Sequence, residues 1–406
     1  MSSIAVTKPL PRNAAAEPPS YAELLGRAAE LVPVLEARAS SAEEMRRLPP
    51  DNEADLHAAG LYRMLQPKHR GGSEAPYRSL VEIGAILARG CASTAWNLTN
   101  LASHHWMLAM FPEDAQNRIW DENPDALIAS SFVFPAAKVK RVPGGYSLSG
   151  RWPFSSGVDP SDWNMLAGIV RDEGAAPDHR VFLVHRSDYE ILDTWHTVAL
   201  KGTGSKDVVL EDVFVPEAMS VSAADLKGGP TPGASVNPSP LYQLPVFALF
   251  PAILSGVGLG NAEAAYDDYV ARSSSRSASY SGAKLAELQS TQIRIGEVGA
   301  KLAASRRIMI GLCEESTRVA EAGGREDLLT KLAYRRDLAY ATGLCTQAVD
   351  AVTSASGAAA LYLSSPVQRR FRDAHGVAAH IAFSMDASAS AYGRVALGLD
   401  TDNPTV

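Results

Sequence analysis

Cysteine is scarce in this chain: Cys91, Cys313 and Cys345 are the only three in 406 residues. They stand apart, with no C-x-x-C pair and no Cys/His ligand spacing, so neither a disulfide framework nor a structural zinc site is expected. Isolated thiols of this kind suit buried positions in a reducing, cytoplasmic setting. Positive charge is not in excess either. Lys and Arg number 38 against 45 Asp and Glu, a net charge of −7, and no basic block is present, so no nucleic-acid surface is expected. No run of about eighteen apolar residues is present, and no membrane span is expected. Positions 1–20 are rich in Pro, Ala and Ser but lack an apolar centre, and read as a disordered tail rather than a signal peptide. Gly202-Thr203-Gly204-Ser205 is glycine-rich without being G-x-G-x-x-G and has no βαβ unit around it, so a Rossmann NAD(P)H site is excluded. The absence of G-x-S-x-G removes the obvious hydrolase. Asp159, Asp162, Asp172 and Asp178 fall on loops without metal-ligand spacing, and no metal is expected.

What is present describes a multidomain globular protein: hydrophobic residues make up 46% and charged residues 20%, and the length predicts two or three domains. From Tyr21 to about position 124 the apolar residues recur with helical spacing, as in Leu24, Leu25, Ala28 and Leu31. From about 125 to 226 the period changes to two. Ala137 to Val142 alternates, Pro143-Gly144-Gly145 turns, and Tyr146 to Gly150 alternates again, which predicts a hairpin. Further strands are expected over Met165 to Val170, Arg180 to His185 and Val208 to Val215. Positions 227–240 are dense in Gly and Pro and read as a long loop, a candidate cover for a site. From 241 to 406 long helices return, expected over Val246–Tyr269, Gly282–Ala322, Arg325–Ser354 and Pro366–Leu397. The small-residue clusters at 255–260 and 355–360 suit close helix approach.

The most informative stretch is Gly150-Arg151-Trp152-Pro153-Phe154-Ser155-Ser156-Gly157, followed by Trp195-His196-Thr197-Val198-Ala199-Leu200-Lys201-Gly202-Thr203-Gly204-Ser205. Aromatic rings beside small hydroxyls, on strands ended by glycine, suit a flat heterocycle that needs stacking on its face and hydrogen bonds at its edge. This pair of segments, set between two helical halves, resembles the flavin-site middle domain of the acyl-CoA dehydrogenase fold. Within that fold the chain looks most like the two-component flavin-dependent monooxygenases, typified by the oxygenase components of 4-hydroxyphenylacetate hydroxylase and secosteroid phenol hydroxylase. The resemblance implies a mainly α architecture: N-terminal helices, a middle β-barrel-like domain and a C-terminal four-helix bundle.

It also implies a site. Ser130, Ser131, Phe154, Ser155 and Ser156 correspond to the edge of the flavin ring, with Ser156, or else Ser155, at N5. A dehydrogenase of this fold needs a Glu as base near the Arg-Asp segment. Here Arg372-Asp373 is followed by no Glu, and His375 and His380 appear instead. Taken as one helix, these histidines stand roughly 140° apart, so only one faces the ring. The resemblance places His380 beside C4a. His105, or His104, with Trp106, Phe132 and Phe247, is implied for an aromatic substrate, and Arg272 and Arg276 for the flavin phosphates, often of a neighbouring subunit. The implied reaction uses dissociable reduced FMN or FAD from a separate flavin reductase. With O2, through a C4a-hydroperoxide, it hydroxylates a phenolic substrate. N- or S-oxygenation and acyl-CoA dehydrogenation are the alternatives. A homotetramer built through the bundle is the implied assembly.

Overall fold

The computed structural model describes residues 17–277, 282–401, 403 and 405–406. Most of the tail expected over 1–20 lies outside the described residues. Ser20 is described, and caps helix α1 (Tyr21–Met45) through a reciprocal bond pair with Glu23. Helices α2 (Pro50–Ala58), α3 (Ser79–Ala88), α4 (Ala92–Leu108) and α5 (Glu113–Trp120) complete the first helical block. Every residue of α4 is buried, including Asn97, His104 and His105, so this helix is an interior wall with polar side chains pointing into the molecule.

The middle block holds two four-stranded sheets. One has the order β1 (Ile128–Ser131), β4 (Trp163–Val170), β5 (Asp178–His185), β8 (Ser220–Ser222); the other has β2 (Ala137–Val142), β3 (Gly145–Ser155), β7 (Lys206–Pro216), β6 (Glu190–Leu192). The expected hairpin is β2–β3, paired Ala137 to Gly150 through Val142 to Gly145. At the far end of β3 the ladder slips between Trp152 and Ser155, and Phe154 takes φ +66°. A bulge in that conformation re-aims the side chains beyond it.

The C-terminal block contains α6 (Val246–Ser275), α7 (Gln289–Glu321), α8 (Leu328–Ala355), α9 (Pro366–Ala378) and α10 (Met385–Ala396). α6, α7 and α8 pack on one another, α9 lies on α6 and α8, and α10 covers α8. One 18-residue window of α6, of mean hydropathy 1.4, is apolar enough to cross a membrane, contrary to the expectation of no such run; 89% of it is buried among the other helices, as a bundle core requires. Gly256 and Gly260 let α6 lie directly on α3, because a Cβ at either would run into the carbonyl of Val81 or Ala85. The second small-residue cluster does something else. Gly357, at φ +65°, ends α8 with open space around it.

Two further expectations need correction. The helix expected over Pro366–Leu397 breaks after Ala378, where His380 is extended and caps a short turn through Ala382 N–H, and Ser384 starts α10. The loop at 227–240 is no cover for a site. Asn237 Nδ2 donates to Ala109 O and Gln116 Oε1, both at 2.8 Å, and Gly233 sits against the Ala109 carbonyl. The loop is thus pinned to the end of the first block. Gly260→Val is expected to lower the unfolding free energy by about 2 kcal/mol or more, read by urea denaturation; wild-type stability would show that α3 and α6 do not meet this closely.

Candidate active site

Where the three blocks meet, a cavity of about 710 Å³ opens. The β block supplies Ser130, Ser131, Phe132, Phe134, Phe154, Ser156 and His179, and the 195–205 segment supplies Trp195, Leu200, Thr203 and Ser205. The helices supply Trp96, Asn100, Phe247, Phe250 and Arg335, with the broken turn at 379–382. Among the described lining residues there is no Asp or Glu. The volume lies in the range of small-molecule sites, and aromatic walls with few polar groups are their usual composition.

The segment 195–205 is held on both sides. Leu200, at φ +48°, donates its N–H to the buried Asp373 carboxylate at 2.7 Å. Arg372 grips both carboxylate oxygens of Glu43 and the Val198 carbonyl. α9 fits closely here, since a Cβ on Gly376 would strike Ala199 and Leu200. Burial pushes the Asp373 carboxyl up to about 6, with the Leu200 N–H pulling it back.

Ser156, not Ser155, faces the cavity. Ser155 is fully buried and accepts from Asn164 Nδ2 at 2.9 Å, while Ser156 Oγ lies 3.0 Å from Trp96 Nε1 and 2.8 Å from Ser205 Oγ. Ser131 donates to the Pro153 carbonyl at 2.6 Å and so fixes the two segments of the β block to each other. Phe154 stands at the mouth with its ring 6.5 Å from Trp195.

His380 lines the same cavity, between Trp96 at 5.6 Å, Phe250 at 6.0 Å and Phe383 at 6.2 Å. Its Nδ1 accepts from Ala382 N–H at 3.1 Å, so in the neutral ring Nε2 carries the hydrogen. Burial lowers its pKa to about 4, and the neighbouring Arg335 cation pushes the same way. His375 is exposed and pairs with Asp350 at 2.9 Å; the break in the chain, rather than helical rotation, separates the two histidines.

The first block departs from expectation. His105 turns away from the cavity, stacks on Trp120 and accepts from its Nε1 at 3.1 Å. Trp106 is fully buried, packs on Tyr77 and donates to Leu241 O at 2.6 Å. Neither is a cavity wall. His104 is the one that meets a wall, with its ring 6.1 Å from that of Phe132, which also touches Phe247 and Phe250. Its Nδ1 lies 2.5 Å from Ile128 O. A carbonyl only accepts, so Nδ1 carries the hydrogen and Nε2 is a bare acceptor, buried and without a partner among the described residues. Burial holds His104 down at about 4 and His105 at about 3.

Arg272 and Arg276 lie far from the cavity. Arg272 is six turns along α6 from Phe250, about 33 Å, and donates to Asp268 O and Ser356 Oγ. Trp96, Thr203, Ser205, Phe250 and Arg335 line the cavity without being among the expected site residues. Thr203 and Ser205 carried a signal, being small hydroxyls between glycines beside an aromatic segment. Arg335 carried none; it sits in an ordinary helical stripe, donates to Phe247 O at 2.7 Å, and is lowered by burial.

The chain has close relatives. It is 36% identical over 390 residues to the oxygenase component of the FADH(2)-dependent resorcinol hydroxylase of Rhizobium sp. (strain MTP-10005), covering 94% of this chain and 95% of that one. It is 35% identical to the flavin-dependent monooxygenase oxygenase subunit HsaA of Rhodococcus jostii (strain RHA1), over 91% of this chain and 97% of that one. The chain belongs to the oxygenase components of the flavin-dependent monooxygenases. Residues 252–385 match the family model for the acyl-CoA dehydrogenase C-terminal domain. Among solved structures, 3-HSA hydroxylase from Rhodococcus sp. RHA1 superposes with a TM-score of 0.90 at 34% identity, over 95% of this chain and 99% of that one. XiaF from Streptomyces sp., solved in complex with FADH2 and glycerol, gives 0.87 at 28% identity, over 95% and 98%.

The depressed histidines have a consequence for stability. An imidazole at 6.5 when unfolded and near 4 or 3 when folded contributes stability above pH 6.5, and loses it as pH falls towards the folded value. The His380 ring is expected to remain neutral to about pH 5 in an NMR titration, and its midpoint to rise in Arg335→Met. A midpoint near 6.5 in the native protein would contradict the dry environment described.

Proposed function

We propose that this oxygenase component binds reduced FMN or FAD in the cavity and uses it with O2 to hydroxylate a phenol. A flavin ring suits the cavity: Trp96, Phe154 and Trp195 offer aromatic surface, and Ser156 presents a hydroxyl at the edge. The cofactor supplies the reducing equivalents that activate oxygen. The residues of the chain supply position, dryness and two proton contacts.

The observation that carries this reading is the pair of opposite tautomers. His380 offers Nε2–H, a neutral donor for a bound oxygen atom. His104, buried behind the cavity-lining Phe132 and not itself a lining residue, carries a bare Nε2, the acceptor assigned to a phenol O–H that reaches past that ring. In that role His104 takes the place expected for His105. An accepting nitrogen favours a phenol over a thiophene sulfur, which has no proton to give. Acyl-CoA dehydrogenation needs a carboxylate base, and among the described lining residues there is none.

The cavity offers no Rossmann feature for a nicotinamide, which fits delivery of reduced flavin by a separate reductase. Leu361, Tyr362 and Leu363 are 73%, 70% and 89% exposed on the bundle side, which fits burial against further copies in a tetramer. In that assembly Arg272 and Arg276 would serve the flavin phosphates of a neighbouring copy. The cytoplasm is the compartment that best fits three buried free thiols.

Supplied with photoreduced flavin, oxygen and a panel of phenols, the protein is expected to form hydroxylated product. His380→Ala is expected to oxidise reduced flavin while product falls at least about tenfold and hydrogen peroxide rises in step. No product from any phenol, with reoxidation at the rate of free flavin, would refute the reading. Leu363→Asp is expected to give a smaller species in light scattering; an unchanged mass would place the interface elsewhere.

A further inference from the structure

Arg335 is the one Asp, Glu, Lys or Arg among the described residues that line the cavity. It enters from α8, and its Nη1 donates to the Phe247 carbonyl at 2.7 Å. The guanidinium forms no other hydrogen bond and no ion pair among the described residues. It carries five N–H groups in a planar fork and stays charged at any working pH, so most of its donors are left over. Arginines set into the protein elsewhere are matched. Arg370 pairs with Glu36 and Asp268, Arg63 with Asp125, and Arg372 with Glu43. Burial lowers the Arg335 pKa with no carboxylate to offset it. A cation taken out of water without a counter-ion costs stability, and an anion entering the cavity relieves that cost. A cleft whose charge is of one sign also draws the opposite sign from solution.

The fork sits at the phenylalanine wall of the cavity. Phe247, whose carbonyl it holds, meets Phe132 edge-on at 5.8 Å and Phe134 at 5.9 Å. Phe132 in turn lies against His104, with ring centroids 6.1 Å apart. Arg335 and His104 are thus joined through one short aromatic wall, although 231 positions separate them in the chain. A phenol laid on that wall with its hydroxyl towards His104 has its other end free to reach the fork. A guanidinium fork matches a carboxylate with two parallel N–H···O bonds, a fit that a neutral amide does not reproduce.

We propose that the phenol hydroxylated here carries a carboxylate and that Arg335 receives it, a statement that rests on the phenol reading above. With the hydroxyl at His104 and the carboxylate at Arg335, the ring is held at both ends against Phe132 and Phe247. This two-point hold fixes which edge of the ring is presented for oxygen transfer. It also selects against phenols of the same size that end in a neutral group. The Phe247 carbonyl holds the fork in place before the substrate arrives, so little side-chain freedom is lost on binding. Arg335 is a specificity-determining residue and moves no proton, since a guanidinium stays protonated.

Anaerobic dissociation constants test this, measured with photoreduced FMN or FAD present. The ligands are paired: hydroxybenzoates, hydroxyphenylacetates and hydroxyphenylpropionates, each against its carboxamide. The native protein is expected to bind one of the carboxylates at least about tenfold more tightly than its carboxamide, the worth of a hydrogen bond to a charged group. Arg335→Met is expected to abolish that preference and, in steady-state hydroxylation, to raise KM for the carboxylate more than it lowers kcat. Arg335→Lys is expected to keep part of the preference, as a point charge without the fork. The native pairs alone decide the sign, so the test stands even where a variant does not fold. Equal or tighter binding of the carboxamide in every pair, with neutral phenols still hydroxylated, would overturn the proposal and leave the phenol reading standing. A carboxylate preference that survives in Arg335→Met would overturn it too. Neither binding nor hydroxylation of any phenol by the native protein would overturn the phenol reading and the proposal with it.

Discussion

The hydrogen bond from Leu200 N–H to the Asp373 carboxylate joins the β block to the bundle at the point where the cavity forms. Leu200 sits at φ +48°, a conformation that a leucine adopts only when its surroundings hold it there. Asp373 holds the amide, Arg372 and Glu43 fasten the same segment to α1, and Gly376 lets α9 lie on it without a gap. Trp195, Thr203 and Ser205 all hang from this segment. Their positions depend on a carboxylate that burial disfavours, so the N–H is what makes the ionised form tolerable at neutral pH.

The remaining character of the site follows from its scarcity of charge. Charged groups are few among the lining residues, and Arg335 is spent in part on a backbone carbonyl. Desolvation favours the neutral ring in the buried His104 and the half-buried His380, and the backbone sets both tautomers, by an N–H at His380 and by a carbonyl at His104. A neutral imidazole with a fixed tautomer is a directional donor or acceptor, and in a dry site such a contact is stronger than in water. The chemistry at each nitrogen is thus decided by a peptide group two residues away for His380, and by strand β1 for His104.

Much of this was legible in the residues. The change of period near position 125, the hairpin at 137–150 and the long apolar helices carry the architecture, because periodicity reports burial directly. The pairing of the 150–157 and 195–205 segments, and the histidine in place of a glutamate after Arg372-Asp373, carry the family. Facing was not legible. His104 and His105 are adjacent and both buried, and only the packing against Ile128 and Trp120 separates them. Trp106 reads as a wall and is core, since an indole needs one hydrogen-bond acceptor and Leu241 O supplies it deep inside. The break after Ala378 has neither Pro nor Gly to mark it; side-chain caps from His380 and Ser384 make it. The 227–240 loop has the composition of a lid, but Asn237 and Gly233 bond it to the first block.

That break is also what brings His380 to the cavity. Ending the helix at Ala378 puts His380 in extended backbone, where its own side chain caps the next turn and its other nitrogen is left for the cavity. One residue thus terminates the helix, fixes its own tautomer and supplies the donor. A glutamate at 380 could also cap the turn, but it would bring a carboxylate into a cavity whose described lining has none, beside Trp96, Phe250 and Phe383. Burial would raise its pKa and leave a proton carrier matched to carbon-acid chemistry rather than a neutral N–H for oxygen. The local choice of capping residue therefore also decides which group faces the cavity.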